Sequence, residues 1–352
     1  MGFDFLEDVA KEKNLFISII TPTYNRSDEL EYLFKSLIKQ SVSHQSFELI
    51  ISDDGSTDGT EENVKYWKDI AKFNIKYLTQ KNRGPGAARN HGLENSKGDL
   101  ILFIDSDCEA HPNWIYEIVQ QFVTFGFDAC GGPDGSKENF TKLQKAIDFS
   151  MTSFLTTGGI RGHSEKMLSN FYPRTHNMGI TREKYNEIGG FGNLRHGQDI
   201  EFSNRIKKSG GKIKFIKDAL VYHRRRSSLK QFAKQVFNWG VARVNLAKID
   251  LSMLEPVHFL PSICCILFCF LIIITKYFGW ENGDVFLMFF IPLSMLSLFG
   301  SINKNDLSIF PFLLLVIPFQ IFGYGLGFLQ AFVRRFIFNA KTLVGFKKNY
   351  YK

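Results

Sequence analysis

Cysteine is scarce in this chain: five residues in 352, with Cys264, Cys265 and Cys269 inside one apolar run. Cys108 and Cys130 make neither a disulfide framework nor a metal-ligand spacing, which excludes a crosslinked secreted scaffold and fits a reducing compartment. Proline stands at only 10, and no internal repeat or low-complexity tract occurs, so collagen-like and mucin-like classes fall away. No Gly-x-Gly-x-x-Gly follows the first strand-like segment, and no Gly-Lys-Ser/Thr ends one, so dinucleotide Rossmann and P-loop sites are both missing. The first 14 residues hold Asp4, Glu7, Asp8 and Glu12 where a secretory leader has basic and then apolar residues. Leu6 stands where a myristoylated Gly2 needs Ser or Thr, so neither signal is expected. Apolar residues are not in short supply. At 44% hydrophobic with 36 Phe, the chain has ample means to build a core.

The mean hydropathy of −0.10 averages two unlike parts. From His223 to Lys352 there are 15 Lys and Arg against 5 Asp and Glu, although the whole chain is only +8. The basic excess therefore sits where the apolar runs are, a pattern of membrane attachment facing the cytoplasm and not of a nucleic-acid patch, for which no motif is present. Three runs qualify: 257–278, 285–302 (with Pro292) and 307–333 (with Pro311, Pro318 and a Gly-rich stretch). A span of about 20 apolar residues crosses a bilayer core of about 30 Å. Arg224, Arg225, Arg226, Lys230, Lys234, Arg243 and Lys248 ask for one end in the cytoplasm. Arg334, Arg335, Lys341, Lys347 and Lys348 ask for the other end there too. Three runs and same-side termini disagree, so either one run is re-entrant or interfacial or the tail departs from the charge rule.

The first 250 residues alternate short apolar strands (16–20, 47–51, 75–78, 100–104) with amphipathic segments, which predicts an α/β fold with a mostly parallel sheet and helices on both faces. Ser27 and Thr57 or Asp58 are expected as helix caps. Polar clusters fall just past three strands: Thr21-Pro22-Thr23-Tyr24-Asn25, Asp53-Asp54 and Asp105-Ser106-Asp107. Ligands of open α/β sheets bind beyond such carboxyl ends, so a nucleotide crevice is expected there. Asp105 and Asp107, two residues apart after a buried strand, point the same way and can hold a hard divalent cation directly or through water. Mg2+ or Mn2+ held by one or two carboxylates plus substrate phosphates suits a diphosphate leaving group. A solvated turn is the alternative for the Asp-x-Asp pair taken alone.

Together these residues resemble the family 2 inverting glycosyltransferases of the GT-A fold. The matching stretches are Ser18–Arg26, Ile51–Gly59, Asn82–Asn90 (Asn-Arg-Gly-Pro-Gly-Ala-Ala-Arg-Asn) and Gly98–Asp107. Further on come Asn177-Met-Gly-Ile180, Gly189-Gly-Phe191, Gln198-Asp199-Ile-Glu-Phe202 and Val221-Tyr-His223. The resemblance spans roughly residues 15–245. It implies that Pro22, Tyr24, Asp53 and Asp54 hold the base and ribose of the donor, with Asp105 at the ribose or the metal's water shell. Asp107 becomes the direct metal ligand. His223 either completes the metal site or is a core histidine, and Arg83 and Arg89 either reach the donor or form structural ion pairs. Asp199 becomes the general base, with a helix N-cap as its alternative role; the family's usual Glu-Asp reads Gln198-Asp199 here. The loops of Asn177-Met178-Gly179 and Gly189-Gly190-Phe191 are expected under the acceptor.

The chain reads as an N-terminal extension (1–14), a transferase domain (15–250) with an interfacial amphipathic helix near 229–246, a membrane region (251–340) and a basic tail (341–352). Phe232, Val236, Trp239 and Arg243 share one side of that helix, whose alternative reading is a packed helix covering the catalytic domain. The Gln-x-x-Arg-Trp motif of processive synthases is not matched by Gln235-Val-Phe-Asn-Trp239, so one sugar per encounter is expected. Trp239–Arg243, Pro256–Pro261 and Tyr324–Phe328 look similar to membrane-bound glucosyltransferases of succinoglycan biosynthesis. The expectation is an integral enzyme of the cytoplasmic (inner) membrane, using a nucleotide-sugar such as a UDP-hexose and a polyprenyl-pyrophosphate saccharide acceptor, with Arg224–Arg226 as a basic apron. A polyprenyl-phosphate sugar synthase of the same fold is the nearest alternative, although those show Asn-Glu where this chain has Asn25-Arg26. A non-catalytic nucleotide-binding membrane subunit is the other.

Overall fold

The structure is a computed structural model that describes residues 15–135, 140–157, 171–278 and 282–341. The expected N-terminal extension and almost all of the basic tail, Lys347 and Lys348 included, lie outside those residues. The chain starts with β1 (Ile17–Thr23), α1 (Ser27–Ile38), β2 (Phe47–Asp53), α2 (Thr60–Ile70), β3 (Asn74–Thr79), α3 (Pro85–Glu94) and β4 (Leu100–Phe103). β1 and β2 are buried along their whole length, as expected of parallel strands covered on both faces. α1 turns Leu30, Leu33, Phe34 and Leu37 onto the sheet, and each such fully buried side chain stabilises the fold by about 1.5–3 kcal/mol.

Next come β5 (Cys108–Ala110), α4 (Trp114–Phe125), β6 (Ala129–Gly131), β7 (Asp134–Gly135), α5 (Lys142–Thr152), α6 (Phe154–Thr157), β8 (Met178–Thr181), α7 (Arg182–Ile188), α8 (Gln198–Lys208), β9 (Ile213–Phe215) and β10 (Val221–His223). The main sheet runs β3-β2-β1-β4-β8-β6-β9. β1 to β4 are parallel, and β8 runs antiparallel to both β4 and β6. A smaller sheet, β5-β10-β7, stands past the end of β4. The carboxyl ends of β1, β2 and β4 therefore lie side by side, and β10 brings His223 opposite Cys108, next to the last of the three polar clusters. Met178 and Gly179, expected in a loop under the acceptor, are instead inside the sheet as β8, because their apolar neighbours pair with β4 on one side and β6 on the other.

The expected caps also sit differently. Arg26 and Gly59 occupy the N-cap positions of α1 and α2, and neither gives a side-chain cap. Asp58 serves both helices: one carboxylate oxygen accepts from the Ser27 N–H at 3.0 Å and the other from the Thr60 hydroxyl at 2.5 Å. A carboxylate shared between two helix N-termini satisfies both dipoles.

The remainder is helical: α9 (Leu229–Ile249), α10 (Leu260–Tyr277), α11 (Asn282–Asn303) and α12 (Phe310–Phe332), the last continued by one π-turn over Val333–Ile337. Three segments, Pro256–Tyr277, Phe286–Asn303 and Leu307–Ile337, are long and apolar enough to cross a membrane. They agree with the three expected runs to within a few residues. α9 does not behave as a surface-lying helix. Phe232 and Val236 pack with α5 and α12, and the whole stretch Gly240–Ala247 is buried. The reason is that α12 lies against α9 and takes much of its apolar face.

Candidate active site

The two aspartates that end β2 are buried and already engaged. Asp53 accepts from the Ser56 N–H (3.0 Å) and hydroxyl (2.6 Å) through one oxygen and from the Tyr77 hydroxyl (2.5 Å) through the other. Asp54 accepts from the Gln80 amide (2.7 Å) and from the backbone N–H groups of Arg83 (2.8 Å) and Gly84 (2.7 Å). The pair thus fixes the loop from β3 into α3. Asn25 closes the same corner by accepting from the Thr57 N–H at 2.8 Å. Pro22 pairs with Ser52 in the ladder, and Tyr24 follows, half-buried. The Arg83 side chain is exposed on the wall of a cleft of about 980 Å³ between α3 and the 191–198 loop. Arg89 is buried and donates to Asp105 at 2.7 Å. Of the two readings of Arg89, the structure has the ion pair, and it turns Asp105 toward α3.

Asp107 and His223 meet at the ends of β4 and β10. The His223 Nε2 lies 3.3 Å from one carboxylate oxygen of Asp107, and the Arg26 guanidinium donates to the other at 2.9 Å. Burial opposes ionisation of Asp107, but His223 and Arg26 outweigh it and hold the carboxyl well below its usual range. The same pairing, against burial, pushes His223 up to about 9. Asp107, Cys108 and His223 offer ligand atoms within 4.8 Å of one another, as do Asp134, His176 and His223. The Cys108 thiol is fully buried, and burial together with Asp107 raises its pKa. A carboxylate oxygen beside an imidazole nitrogen fits Mn2+ or Mg2+ completed by substrate phosphates.

Behind this pair stands a buried ionic network that the sequence reading missed. Asp134, from β7, lies 3.7 Å from His223 Nδ1 and is paired with Arg225. Arg225 also donates to Asp148 of α5 at 2.9 and 2.8 Å, and Lys304 reaches the other oxygen of Asp148 at 2.7 Å. Arg225 therefore points inward and is no part of a basic apron. Its pKa is raised, because the two carboxylates outweigh its burial. His176 stacks on His223 with ring centroids 4.9 Å apart.

Asp199 lies in the first turn of α8. Gly197 enters that helix with φ +80°, a left-handed conformation that a side chain would strain, and it occupies the N-cap position expected of Asp199. One Asp199 oxygen accepts from the Ile200 N–H at 3.0 Å, and the other is 3.2 Å from the Arg174 guanidinium. Arg174 outweighs the burial of this carboxyl and lowers its pKa. Asn90 clamps the Gly190-Phe191 turn, accepting from Phe191 N–H (2.7 Å) and donating to Phe191 C=O (2.9 Å). Asn177 accepts from the Trp114 indole and donates to Pro133 and Ala219, a supporting role under the 171–177 segment. That segment links the two halves of the site, with His176 against His223 and Arg174 against Asp199. Arg174 and His176 directly precede the Asn177 motif, so a look three residues upstream would have found both.

Residues 18–189 match the family model described as Glycosyl transferase family 2. An uncharacterized glycosyltransferase of Haemophilus influenzae is 46% identical over 225 residues, covering 62% of this chain and 80% of that protein. The glycosyltransferase AglE of Haloferax volcanii is 26% identical over 268 residues, covering 70% and 82%. Among solved structures, the mannosyltransferase PcManGT from Pyrobaculum calidifontis in complex with GDP-Man and Mn2+ superposes with a TM-score of 0.63 at 15% identity, over 87% of both chains. That likeness carries the fold.

Proposed function

The chain belongs to glycosyl transferase family 2, and from that premise we propose that it is a metal-dependent inverting hexosyltransferase. It moves one sugar from a nucleotide-sugar, a UDP-hexose by the setting of Asp54, to a hydroxyl of a lipid-linked saccharide at the cytoplasmic face of the inner membrane. The observation that carries this reading is that the 171–177 segment touches both candidate groups, His176 stacking on the His223 that faces Asp107 and Arg174 pairing with Asp199. Asp107 and His223 would hold Mn2+ or Mg2+, as the GDP-Man complex of PcManGT holds Mn2+. The cation supplies charge neutralisation for the departing diphosphate.

The residues of this chain do the rest. Asp54 orders the backbone of the Arg83–Gly84 loop, and Arg83 lies free to meet the donor. Asp199, kept ionised by Arg174, accepts the proton of the acceptor hydroxyl as its oxygen bonds to the anomeric carbon. The bond from that carbon to the diphosphate oxygen breaks, the diphosphate leaves with the electron pair, and one displacement inverts the configuration. The three apolar helices keep this crevice beside a bilayer, where a polyprenyl-linked acceptor resides.

The test is sugar transfer by detergent-purified chain across UDP-, GDP- and dTDP-sugars, with Mn2+ or Mg2+, with and without polyprenyl-diphosphate saccharides. Turnover of one donor that needs metal and a lipid-linked acceptor is expected. Absence of nucleotide binding in folded protein refutes it.

A further inference from the structure

Around Arg174, which is itself paired with Asp199, the structure gathers further cationic and hydrogen-bonding groups. Arg243 of α9 is only 6% exposed. Its guanidinium donates to the Met253 carbonyl at 2.9 Å, and the groups acting on it most strongly are Tyr324 and Arg174. Among the described residues it forms no ion pair, and burial lowers its pKa. His258 is 3% exposed. Its Nδ1 accepts from the Glu255 N–H at 2.9 Å, which places the ring proton on Nε2 when the ring is neutral, and Nε2 finds no partner among the described residues. The charged groups that face His258 are again Arg243 and Arg174. The Tyr324 hydroxyl of α12, also buried, makes no well-formed hydrogen bond there. Arg174 and Asp199 are partly exposed and form the open side.

This arrangement is held tightly. A methyl group on Gly240 of α9 would collide with the Tyr324 carbonyl oxygen, and one on Gly327 of α12 with the Phe237 carbonyl oxygen, so the two backbones touch. Leu246 and Met253 pack with Ile200, the residue after Asp199, which seats the cluster directly under the base. A buried guanidinium without a counter-ion and an orphaned imidazole donor are costly unless an anion completes them.

We infer that Arg243, His258 and Tyr324, with Arg174 at the mouth, form a pocket for a phosphate or diphosphate group of the acceptor. It lies between the catalytic base and the apolar helices. The inference rests on the proposed lipid-linked acceptor and names the groups that would recognise its head. An anion there sets the acceptor sugar over Asp199 while its tail stays with α10 and α12.

The test measures binding of farnesyl diphosphate, inorganic pyrophosphate and farnesol to the full chain in detergent, by thermophoresis in EDTA, so that no metal bridges the anion. The Asp107→Ala background removes the donor's metal ligand. Farnesyl diphosphate is expected to bind in both backgrounds, with affinity falling about tenfold or more in Arg243→Gln, the loss of a charge-assisted contact. Pyrophosphate binding as tightly as farnesyl diphosphate assigns the pocket to a free anion; weaker binding of pyrophosphate assigns it to a lipid headgroup. Binding that needs Mn2+, that farnesol matches, or that Arg243→Gln and His258→Asn leave unchanged overturns the pocket. If Arg243→Gln does not fold, His258→Asn and Tyr324→Phe carry the same comparison. Anion binding without any transfer to lipid-linked saccharides sinks the acceptor reading alone. Transfer whose acceptor KM ignores these variants sinks the pocket alone.

Discussion

Replacing Arg225 by Met should destabilise the protein more than any other single change of a charged residue outside the crevice. The Arg225 side chain is 1% exposed and answers two carboxylates that are each 2% exposed, Asp134 and Asp148. Its removal leaves Asp134 without its arginine and, among the described residues, leaves Asp148 with Lys304 as its remaining cation. Breaking a buried pair by deleting one partner costs about 3–5 kcal/mol, because the surviving charge stays desolvated. At about 2 °C per kcal/mol for a chain of this length, the melting temperature in detergent should fall by roughly 6–10 °C. Lys304→Met is the matched control, since Lys304 is 27% exposed and its one ion pair among the described residues is with Asp148; about 1 kcal/mol or less is expected. The assay is thermal unfolding followed by tryptophan fluorescence, paired with Mn2+ titration, because Asp134 also faces His223. Adding Asp148→Asn to Arg225→Met should recover part of the loss by removing one stranded charge. Equal and small shifts for Arg225→Met and Lys304→Met, with no rescue by Asp148→Asn, would refute the reasoning.

Asp199→Asn should lower kcat by about 10²–10⁴ while leaving nucleotide binding intact, measured by transfer and by calorimetry. Arg174→Ala removes the group that depresses the Asp199 carboxyl, so that carboxyl titrates higher and the acid limb of the pH–rate profile moves to higher pH; an unmoved limb contradicts the assignment. Asp107→Ala should abolish saturable Mn2+ binding, and retained stoichiometric binding would remove Asp107 as the ligand. Gly240→Ala should cost about 1–3 kcal/mol, since the added methyl meets backbone that cannot yield, whereas Gly283→Ala, with nothing within 4 Å, should be neutral.

The sheet and the crevice were legible because each strand is a short apolar run closed by a polar cluster, as in Leu100–Ile104 followed by Asp105-Ser106-Asp107. Such local signals survive into the structure almost unchanged. What the sequence could not reveal was pairing across distance. Asp58 reaches back to Ser27, Arg89 takes Asp105, and Arg225 threads between β7 and α5, and nothing local distinguishes these residues from solvated neighbours. Arg225 sat in a run of three arginines and read as surface charge; only the fold shows that Arg224 stacks on Tyr32 while Arg225 turns inward. The amphipathic stripe of α9 was visible too, but a stripe does not say whether lipid or another helix covers it.

The covering helix is α12, and that changes what the apolar third of the chain is for. A tether needs only to be apolar, yet α12 presents Gly323 against Val236 and Gly327 against the Phe237 backbone, and it carries Tyr324 to the buried side of Arg243. α9 in turn continues from β10, whose last residue is His223, so one chain segment runs from the expected metal ligand to the helix under Asp199. Lys304 and Asp306, at the turn between α11 and α12, close a second route through Asp148 and Lys145 of α5. With two such connections, a shift of α12 within a bilayer cannot leave the crevice unmoved. On the proposed reading, the membrane helices are thus structural members of the acceptor side of the site, and cutting the chain after Ile249 should remove acceptor use before it removes donor binding.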